Sequence, residues 1–246
     1  MEQHSLETVG PDVFRVGSGP IRNGSAAERH LEFKIDIAHA RRYNQSRKEA
    51  RKTISAMIVM ALGLIAAASY LLSSSSAGAM VFGALTACLG LTILVIAGYV
   101  ATQNRPQGYL DRGVLNPAIV CAAEKGQIFL LTLGGIGLYD KVWAVFITRV
   151  KDLPGHRNAV GERIPVTCVF TGTDGARYQG VGVSPIAWGT SSAKVLQGAV
   201  QGIDESEWQA LDRLRYQVVL DTDYAAMGAK GIQVLNQAQV ERLGLK

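Results

Sequence analysis

The sequence ISAMIVMALGLIAAASYLL (residues 54–72) is separated by the six residues SSSSAG from a second apolar run, AMVFGALTACLGLTILVIAGYVA (residues 79–101). No Asp, Glu, Lys, Arg or His occurs from Thr53 to Asn104. A helix on the surface of a soluble domain would carry a charged face over such a length, because one side of it meets water. Each run is close to the roughly 20 residues that cross a bilayer core. We therefore predict a hairpin of two antiparallel transmembrane helices.

The predicted hairpin, residues 54–101, contains no ionisable side chain. This argues against a proton relay or an ion pathway of its own, because those use charges within the membrane. Gly63 with Ala67, and Gly83 with Ala87, form pairs of small residues that allow close helix approach in lipid. Since small residues are also common in membrane helices generally, these pairs leave open whether the spans bind only each other or also a third helix.

A basic cluster stands directly before the first span and holds much of the excess positive charge behind the net charge of +5. Its members are Arg41, Arg42, Arg47, Lys48, Arg51 and Lys52. Basic residues next to a membrane span favour the cytoplasmic side, which is the positive-inside rule. We therefore interpret these residues as a membrane-surface cluster in contact with lipid. A basic patch can also bind nucleic acid, but the position of this one favours topology, so we predict no nucleic-acid partner.

The same rule predicts the orientation of the chain. Arg105 and Arg112 follow the second span, while the turn between the spans carries no charge, so both the N- and the C-terminus are expected in the cytoplasm. The first 30 residues are polar and lack the apolar run of a secretory signal, so the first span is expected to direct insertion. We predict a multi-pass protein of the cell inner (plasma) membrane.

The N-terminal part divides into two segments. Residues 1–30 mix Gly, Pro, Ser and charged residues without a period, which is typical of a flexible tail. Residues 31–53 are predicted to form a short strand and a basic juxtamembrane helix. The strand is indicated by the alternation in Leu31-Glu-Phe-Lys-Ile35, and Asp36 is suited to cap the helix. We expect the helix to continue unbroken into the membrane.

Residues 106–217 are predicted to form a small antiparallel β-barrel or sandwich with closing helices. The predicted strands lie at residues 118–121, 127–133, 142–150, 164–170 and within 176–183. Turn-forming residues separate them, and Asp174-Gly175 is a strong hairpin signal. Two helices, 191–200 and one beginning at Asp204, close the domain, and residues 218–246 form a C-terminal extension. The predicted fold class is therefore α+β, with a transmembrane hairpin before a β-rich cytoplasmic domain.

The sequence contains no GxSxG, P-loop, HExxH or strand-associated GxGxxG motif, so we predict no catalytic residue, metal site or cofactor. Cys121 and Cys168 lie in apolar runs, where they are expected to be buried thiols, although a bridge between adjacent strands is an alternative. Three residues are candidates for ligand binding: His156, Arg157 and Trp188. His156 has charged neighbours that suit a base or a pH sensor, while Trp188 suits either a pocket wall or a core aromatic.

Several short motifs in the β-rich region follow one another in a recognisable order. They are Asn116-Pro-Ala-Ile-Val120, Val142-Trp-Ala144, Leu153-Pro-Gly-His156, Gly161-Glu-Arg-Ile-Pro165, Pro185-Ile-Ala-Trp-Gly-Thr190 and Trp208. Together they resemble the bacterial membrane-protein family known as domain of unknown function 3239, over roughly residues 105 to 215. The resemblance implies two apolar spans before the soluble part. It implies no activity, cofactor or catalytic residue.

These features favour a non-enzymatic, membrane-anchored interaction module that presents its β-rich domain to a protein partner, namely another membrane protein. One alternative is an oligomeric membrane scaffold or assembly factor, which would self-associate through the barrel or the small-residue helix faces. Another is a small-ligand sensor or an unrecognised enzyme that uses His156 and its polar neighbours.

Overall fold

The computed structural model describes residues 14–18, 29–103, 113–124, 126–140, 142–219 and 231–245, except for the side chains of residues 14–18, 103 and 217–219. The chain divides into two compact units. One is the hairpin unit, residues 45–108, and the other combines residues 1–44 with residues 109–246. We call the second unit the α+β domain.

The hairpin unit contains two long helices, α2 (Gln45–Leu72) and α3 (Ala77–Gln103). Each is long and apolar enough to cross a membrane, and only 11% of its most apolar window is buried against protein. An apolar helix in a soluble core would instead be mostly covered by protein. The two predicted apolar spans are therefore present as long helices, and their exposure supports a membrane location for the chain.

Small residues repeated every seven positions bring α2 and α3 together. Ala61 and Ala68 are buried on α2, and Gly83, Gly90 and Ala97 are buried on α3. A Cβ atom added at Gly83 would lie 3.1 Å from the carbonyl oxygen of Ala68, and one added at Gly90 would lie 3.1 Å from that of Ala61. A seven-residue repeat keeps one face of each helix against its partner. We call this contact the small-residue seam.

The seam differs from the small-residue pairs that the sequence suggested. Gly83 belongs to it, but its neighbour along the seam is Gly90, because the repeat is seven residues and not four. Gly63 and Ala67 lie on the exposed side of α2, and a Cβ atom added at Gly63 would meet nothing within 4 Å. The pair Gly63 and Ala67 is therefore free of the hairpin contact.

Three hydroxyl groups within the two helices bond to their own backbone. Ser69 donates to the carbonyl of Ile65 at 2.9 Å, and Thr92 donates to that of Cys88 at 2.8 Å. Thr86 donates in the same way one turn back. Because hydrocarbon offers no hydrogen-bond partner, this pairing removes the cost of exposing these hydroxyls to lipid.

The N-terminal segment contains a two-stranded sheet, β1 (Phe14–Ser18) with β2 (Arg29–Phe33), paired antiparallel. This differs from the prediction of a flexible tail over residues 1–30, because a period-two pattern five residues long is too short to recognise without its partner strand. The rest of that predicted tail, apart from residues 29 and 30, lies outside the described residues.

Helix α1 (Ile37–Tyr43) begins as predicted, because the Asp36 carboxylate accepts hydrogen bonds from the N–H groups of Ala38 and His39 at 2.9 and 3.0 Å. The prediction of one unbroken helix into the membrane is wrong. Asn44 is extended (φ −69°, ψ 104°) and separates α1 from α2. Asn interrupts helices readily, because its side chain competes for backbone hydrogen bonds.

The α+β domain is built on a six-stranded antiparallel sheet with the order β7-β6-β3-β4-β5-β8. Its strands are β3 (Val114–Glu124), β4 (Gln127–Gly135), β5 (Trp143–Val150), β6 (Arg163–Thr173), β7 (Tyr178–Pro185) and β8 (Gln233–Val234). The five predicted strands are confirmed, and most are longer than predicted. The predicted hairpin at Asp174 joins β6 to β7, with Gly175 in the left-handed region (φ +96°).

The sheet curls into a half-barrel. The chain after β4 reaches the beginning of β7, where Leu138 N–H donates to Ala176 O at 3.0 Å and Tyr178 N–H donates to Ile136 O at 2.9 Å. This curl buries one face of the sheet within itself, and α4 (Ala193–Gln201), α5 (Glu205–Val219) and α6 (Gln237–Leu243) contribute to the core on the other. The predicted α+β class with closing helices is confirmed.

Residues 231–245 of the predicted C-terminal extension belong to the core of the α+β domain. β8 pairs with β5, and Leu235, Leu243 and Leu245 are buried with α4 and α5. Asn236 and Gln239 form a capping box at the start of α6. Residues 220–230 lie outside the described residues.

Candidate functional site

The loop between β5 and β6, residues 151–162, carries two of the three predicted ligand-binding candidates. The carboxylate of Glu162 accepts hydrogen bonds from His156 Nδ1 at 3.1 Å, from the Arg157 N–H at 3.1 Å and from the Ala159 N–H at 3.3 Å. An ionised carboxylate can only accept, so Nδ1 carries the proton in this contact. Glu162 therefore closes the loop on itself by holding its backbone and the His156 ring.

Glu162 is held as a carboxylate. Partial burial opposes its ionisation, but the Arg157 N–H, the His156 ring and the Ala159 N–H more than offset burial, so the pKa of Glu162 lies below its usual value. The His156 side chain is 10% exposed. Its Nε2 atom is buried and has no hydrogen-bond partner among the described residues. His156 thus has a structural partner, and its binding of a ligand stays a prediction.

The path of this loop depends on three residues with left-handed backbone: Gly155 (φ +79°), Asn158 (φ +59°) and Gly161 (φ +89°). Gly161 also allows a close approach, because a Cβ atom added there would lie 3.4 Å from Nη1 of Arg215 on α5. The Arg215 guanidinium lies over the Tyr216 ring, 4.5 Å from its centroid. The loop and the end of α5 therefore meet at Arg215.

Two large side chains are exposed beside this junction. Val160, which precedes Gly161, is 52% exposed, and Tyr216 is 63% exposed. Arg157 is exposed on the same loop. Tyr and Arg are enriched at the centres of protein interfaces, where they contribute much of the binding energy. The Arg215 side chain itself is only 15% exposed. We call the exposed side chains of Val160 and Tyr216, with the Arg215 guanidinium packed beside them, the β5–β6 loop surface.

Trp188, the third predicted candidate, is a core residue. It is 2% exposed, and its indole N–H donates to the carbonyl of Asp152 at 2.8 Å. The neighbouring Ala187 carbonyl lies 2.9 Å from His39 Nε2. Trp188 therefore ties the segment after β7 to the β5–β6 loop, and the interpretation as a core aromatic accounts for its position.

The two cysteines of the sheet cannot form a disulfide. Cys168 lies opposite Val114, and Cys121 is seven residues further along β3, which is about 23 Å. A disulfide requires Cα atoms within about 7 Å. Burial raises the pKa of the Cys121 thiol to about 11, and burial also raises the pKa of Cys168. Both behave as small buried hydrophobic groups.

The described residues contain no group of three or more His, Cys, Asp or Glu side chains that could hold a metal ion. Two charged contacts join different elements of the α+β domain. Arg163 on β6 binds Glu205 on α5 through two hydrogen bonds of 2.6 and 2.8 Å. Arg29 on β2 binds Glu207 at 2.6 Å.

The basic cluster is divided by the break at Asn44. Arg41 and Arg42 are exposed on α1, and Arg47, Lys48, Arg51 and Lys52 lie on the first two turns of α2, where all but the half-buried Arg47 are exposed. Arg105 and Arg112, which support the predicted orientation, lie outside the described residues.

Sequence reasoning missed Glu162, Val160, Arg215 and Tyr216. The pairing of Glu162 with His156 spans six residues, and only the left-handed turns between them bring the side chains together. Arg215 and Gly161 are far apart in sequence, so their contact has no local signal. The closest available signal was the motif Gly161-Glu-Arg-Ile-Pro165, which contains Glu162.

Comparison with known proteins found one matching family and one similar crystal structure. Residues 102–218 match the family described as "Protein of unknown function (DUF3239)". The chain is also similar to a crystal structure described as that of "a putative membrane protein from Corynebacterium diphtheriae", with 22% sequence identity and a TM-score of 0.40. That similarity covers 44% of this chain and 94% of the other. No curated protein matches the chain. Residues 102–218, which include the β-rich part that the sequence motifs indicated, are therefore similar to the DUF3239 family of proteins of unknown function.

Proposed function

We propose that this chain crosses the cell inner (plasma) membrane twice, with both termini in the cytoplasm, and that its α+β domain binds a partner membrane protein. The observation that carries the proposal is the contrast between the two units. The hairpin unit has charge-free spans in which the hydroxyls of Ser69, Thr86 and Thr92 are paired with their own helix backbone, which suits an anchor. The α+β domain has its own core and an exposed β5–β6 loop surface, which suits binding.

The orientation follows from the charges that flank the spans. Lys48, Arg51 and Lys52 precede the apolar span that begins at Ile54, while the turn at residues 73–76 contains only serines. Basic flanks favour the cytoplasm. Cysteine labelling tests this directly: Ser75→Cys should react with an impermeant maleimide in intact cells, and Ala176→Cys should react only after lysis. The reverse pattern would overturn the orientation.

The β5–β6 loop surface is the proposed contact with the partner. Val160 and Tyr216 are exposed, the loop that carries Val160 is held by Glu162, and Tyr216 lies on α5, so binding would require little ordering of the backbone. A preorganised surface loses less conformational entropy on association. Tyr and Arg are also the residue types that most often dominate the binding energy of an interface.

Crosslinking in membranes followed by affinity purification in mild detergent tests this surface. The double variant Val160→Lys with Tyr216→Lys should recover at least tenfold less of any crosslinked partner than the unmodified chain, since a central interface residue typically contributes 2 kcal/mol or more. Tyr139→Lys is the matched control, because Tyr139 is 85% exposed in the loop at the other end of β5. Equal recovery with all three proteins would refute the proposed surface.

A second candidate function is an oligomeric membrane scaffold, and the exposed pair Gly63 and Ala67 favours it. These residues are outside the small-residue seam, so they are available to another copy of the chain. Light scattering after size-exclusion chromatography would distinguish the two functions. A monomer that still crosslinks to a partner supports the interaction module, and a defined oligomer that Gly63→Leu dissociates supports the scaffold.

A further inference from the structure

Three positive side chains form a compact group at the start of α2. Lys48, Arg51 and Lys52 are all exposed. Residues three and four positions apart are neighbours on a helix surface, so Lys48 lies beside both Arg51 and Lys52. At about 100° per residue, the three side chains leave α2 within an arc of about 100°. We call them the α2 cation cluster.

The cluster has no ion-pair partner in the described part of the chain. None of the three side chains forms an ion pair there, and Glu49, the acidic residue within this segment, forms none with them. Like charges at adjacent turns repel each other and destabilise the helix. An anion from outside the protein would reduce that repulsion, so anion binding to the cluster is favoured.

The position of the cluster along α2 indicates where the anion lies. Charge-free sequence begins at Thr53 and the apolar span at Ile54. At a rise of about 1.5 Å per residue, Lys52 lies about 3 Å and Lys48 about 9 Å before Ile54. The polar headgroup layer on each side of a bilayer core is about 5 to 7 Å thick. Flexible side chains starting at these depths reach the lipid phosphates.

We infer that Lys48, Arg51 and Lys52 bind the phosphate groups of anionic phospholipids, so that the hairpin selects these lipids from its surroundings. The inference rests on the proposed membrane anchoring and names the lipid class that the anchor recruits. The cluster is open to one side and offers side-chain donors from a single helix face, which suits several lipids held in a membrane plane. Arg51 can bind a phosphate with two parallel hydrogen bonds, and the lysines act as point charges.

The test is performed on the full chain in neutral-detergent micelles. Phosphatidylglycerol or phosphatidylcholine is added, and the bound lipids are counted by native mass spectrometry. The unmodified chain should bind phosphatidylglycerol on the order of 10- to 100-fold more tightly than phosphatidylcholine, given about fivefold for each basic residue near the surface. The variant Lys48→Gln, Arg51→Gln, Lys52→Gln should lose this preference. Inorganic phosphate at millimolar concentration should not displace the lipid.

A matched control distinguishes binding at this cluster from the effect of the overall positive charge of the protein. The variant Arg149→Gln, Lys151→Gln, Arg177→Gln removes three exposed positive charges from the α+β domain and should keep the preference for phosphatidylglycerol. Equal binding of the two lipids by the unmodified chain would overturn the inference. So would an equal loss in both variants, or displacement of the lipid by free phosphate.

The labelling of Ser75→Cys described above is repeated in parallel. Failure of labelling with an intact phosphatidylglycerol preference would overturn the proposed orientation alone. Correct labelling without a lipid preference would overturn the lipid inference alone.

Discussion

The small-residue seam predicts a large difference between glycines of α3. A Cβ atom at Gly83 would lie 2.9 Å from Leu72 Cγ and 3.1 Å from both the Ala68 carbonyl oxygen and Leu71 Cβ. Carbon atoms pack comfortably at about 3.5 to 4.0 Å. The backbone oxygen and a Cβ atom cannot rotate away, so a larger residue at Gly83 must push α2 and α3 apart.

The cost of this separation can be worked from the contacts. Relieving the overlap requires a shift of about 0.4 to 0.9 Å, and a gap of that size loses a quarter to a half of the dispersion attraction along the seam. Overpacking of a well-packed core costs about 1 to 3 kcal/mol. We expect Gly83→Ala to lower the free energy of hairpin opening by about 1 kcal/mol and Gly83→Leu by about 3 kcal/mol.

Pyrene labels measure the opening. They are placed at Thr53→Cys and Thr102→Cys, at the free ends of the hairpin, in a Cys88→Ala background, and excimer fluorescence is followed as dodecyl sulfate is added to mild detergent. The control is Gly98→Leu, because a Cβ atom at Gly98 meets nothing within 4 Å. The free energy of hairpin opening of this variant should be within about 0.5 kcal/mol of that of the unmodified chain. Equal effects at Gly83 and Gly98 would refute the seam.

Contacts within the α+β domain lead to three further expectations for the full chain in mild detergent. Glu162→Gln should lower the unfolding free energy by about 2 kcal/mol at pH 7. Because the pKa of Glu162 is lowered on folding, its contribution is complete above about pH 4.3 and is lost as the pH falls through the folded value, so thermal melts of the two proteins should converge in acid. Trp188→Phe should cost about 1 to 2 kcal/mol in a chemical denaturation series, since it leaves the Asp152 carbonyl unpaired; an unchanged midpoint would contradict that role. Cys121 should resist maleimide at pH 7 until the domain unfolds, because a thiol with a pKa of about 11 is ionised in only about one molecule in ten thousand; mass spectrometry of the native protein would reveal any early labelling.

The strands of the α+β domain were predictable because each is a short apolar run between turn formers. The predicted runs at residues 127–133 and 142–150 became β4 and β5 almost unchanged. Their continuous apolar character, without strict alternation, has a tertiary cause. The half-barrel buries one face of each strand and the helices cover the other, so neither face needs polar residues.

The candidate site was only partly predictable. A lone His156 in a turn carries no local sign of its partner, because the pairing with Glu162 depends on the left-handed residues Gly155, Asn158 and Gly161. Trp188 had two interpretations in the sequence, and only its packing and its bond to Asp152 distinguish them. The sequence left the role of the small-residue pairs open for a similar reason, since the seam depends on which helix face meets the partner.

The amino-acid sequence by itself determined that the chain has two long apolar helices close together and a β-rich domain after them. Those properties depend on local hydrophobicity and turn chemistry, which each segment carries without its neighbours. The tertiary structure alone decided that Gly83 and Gly90 form the seam, that Glu162 holds the β5–β6 loop, and that residues 231–245 complete the core. Each of these is a contact between segments distant in sequence, and its free energy exists only when the fold brings both sides together.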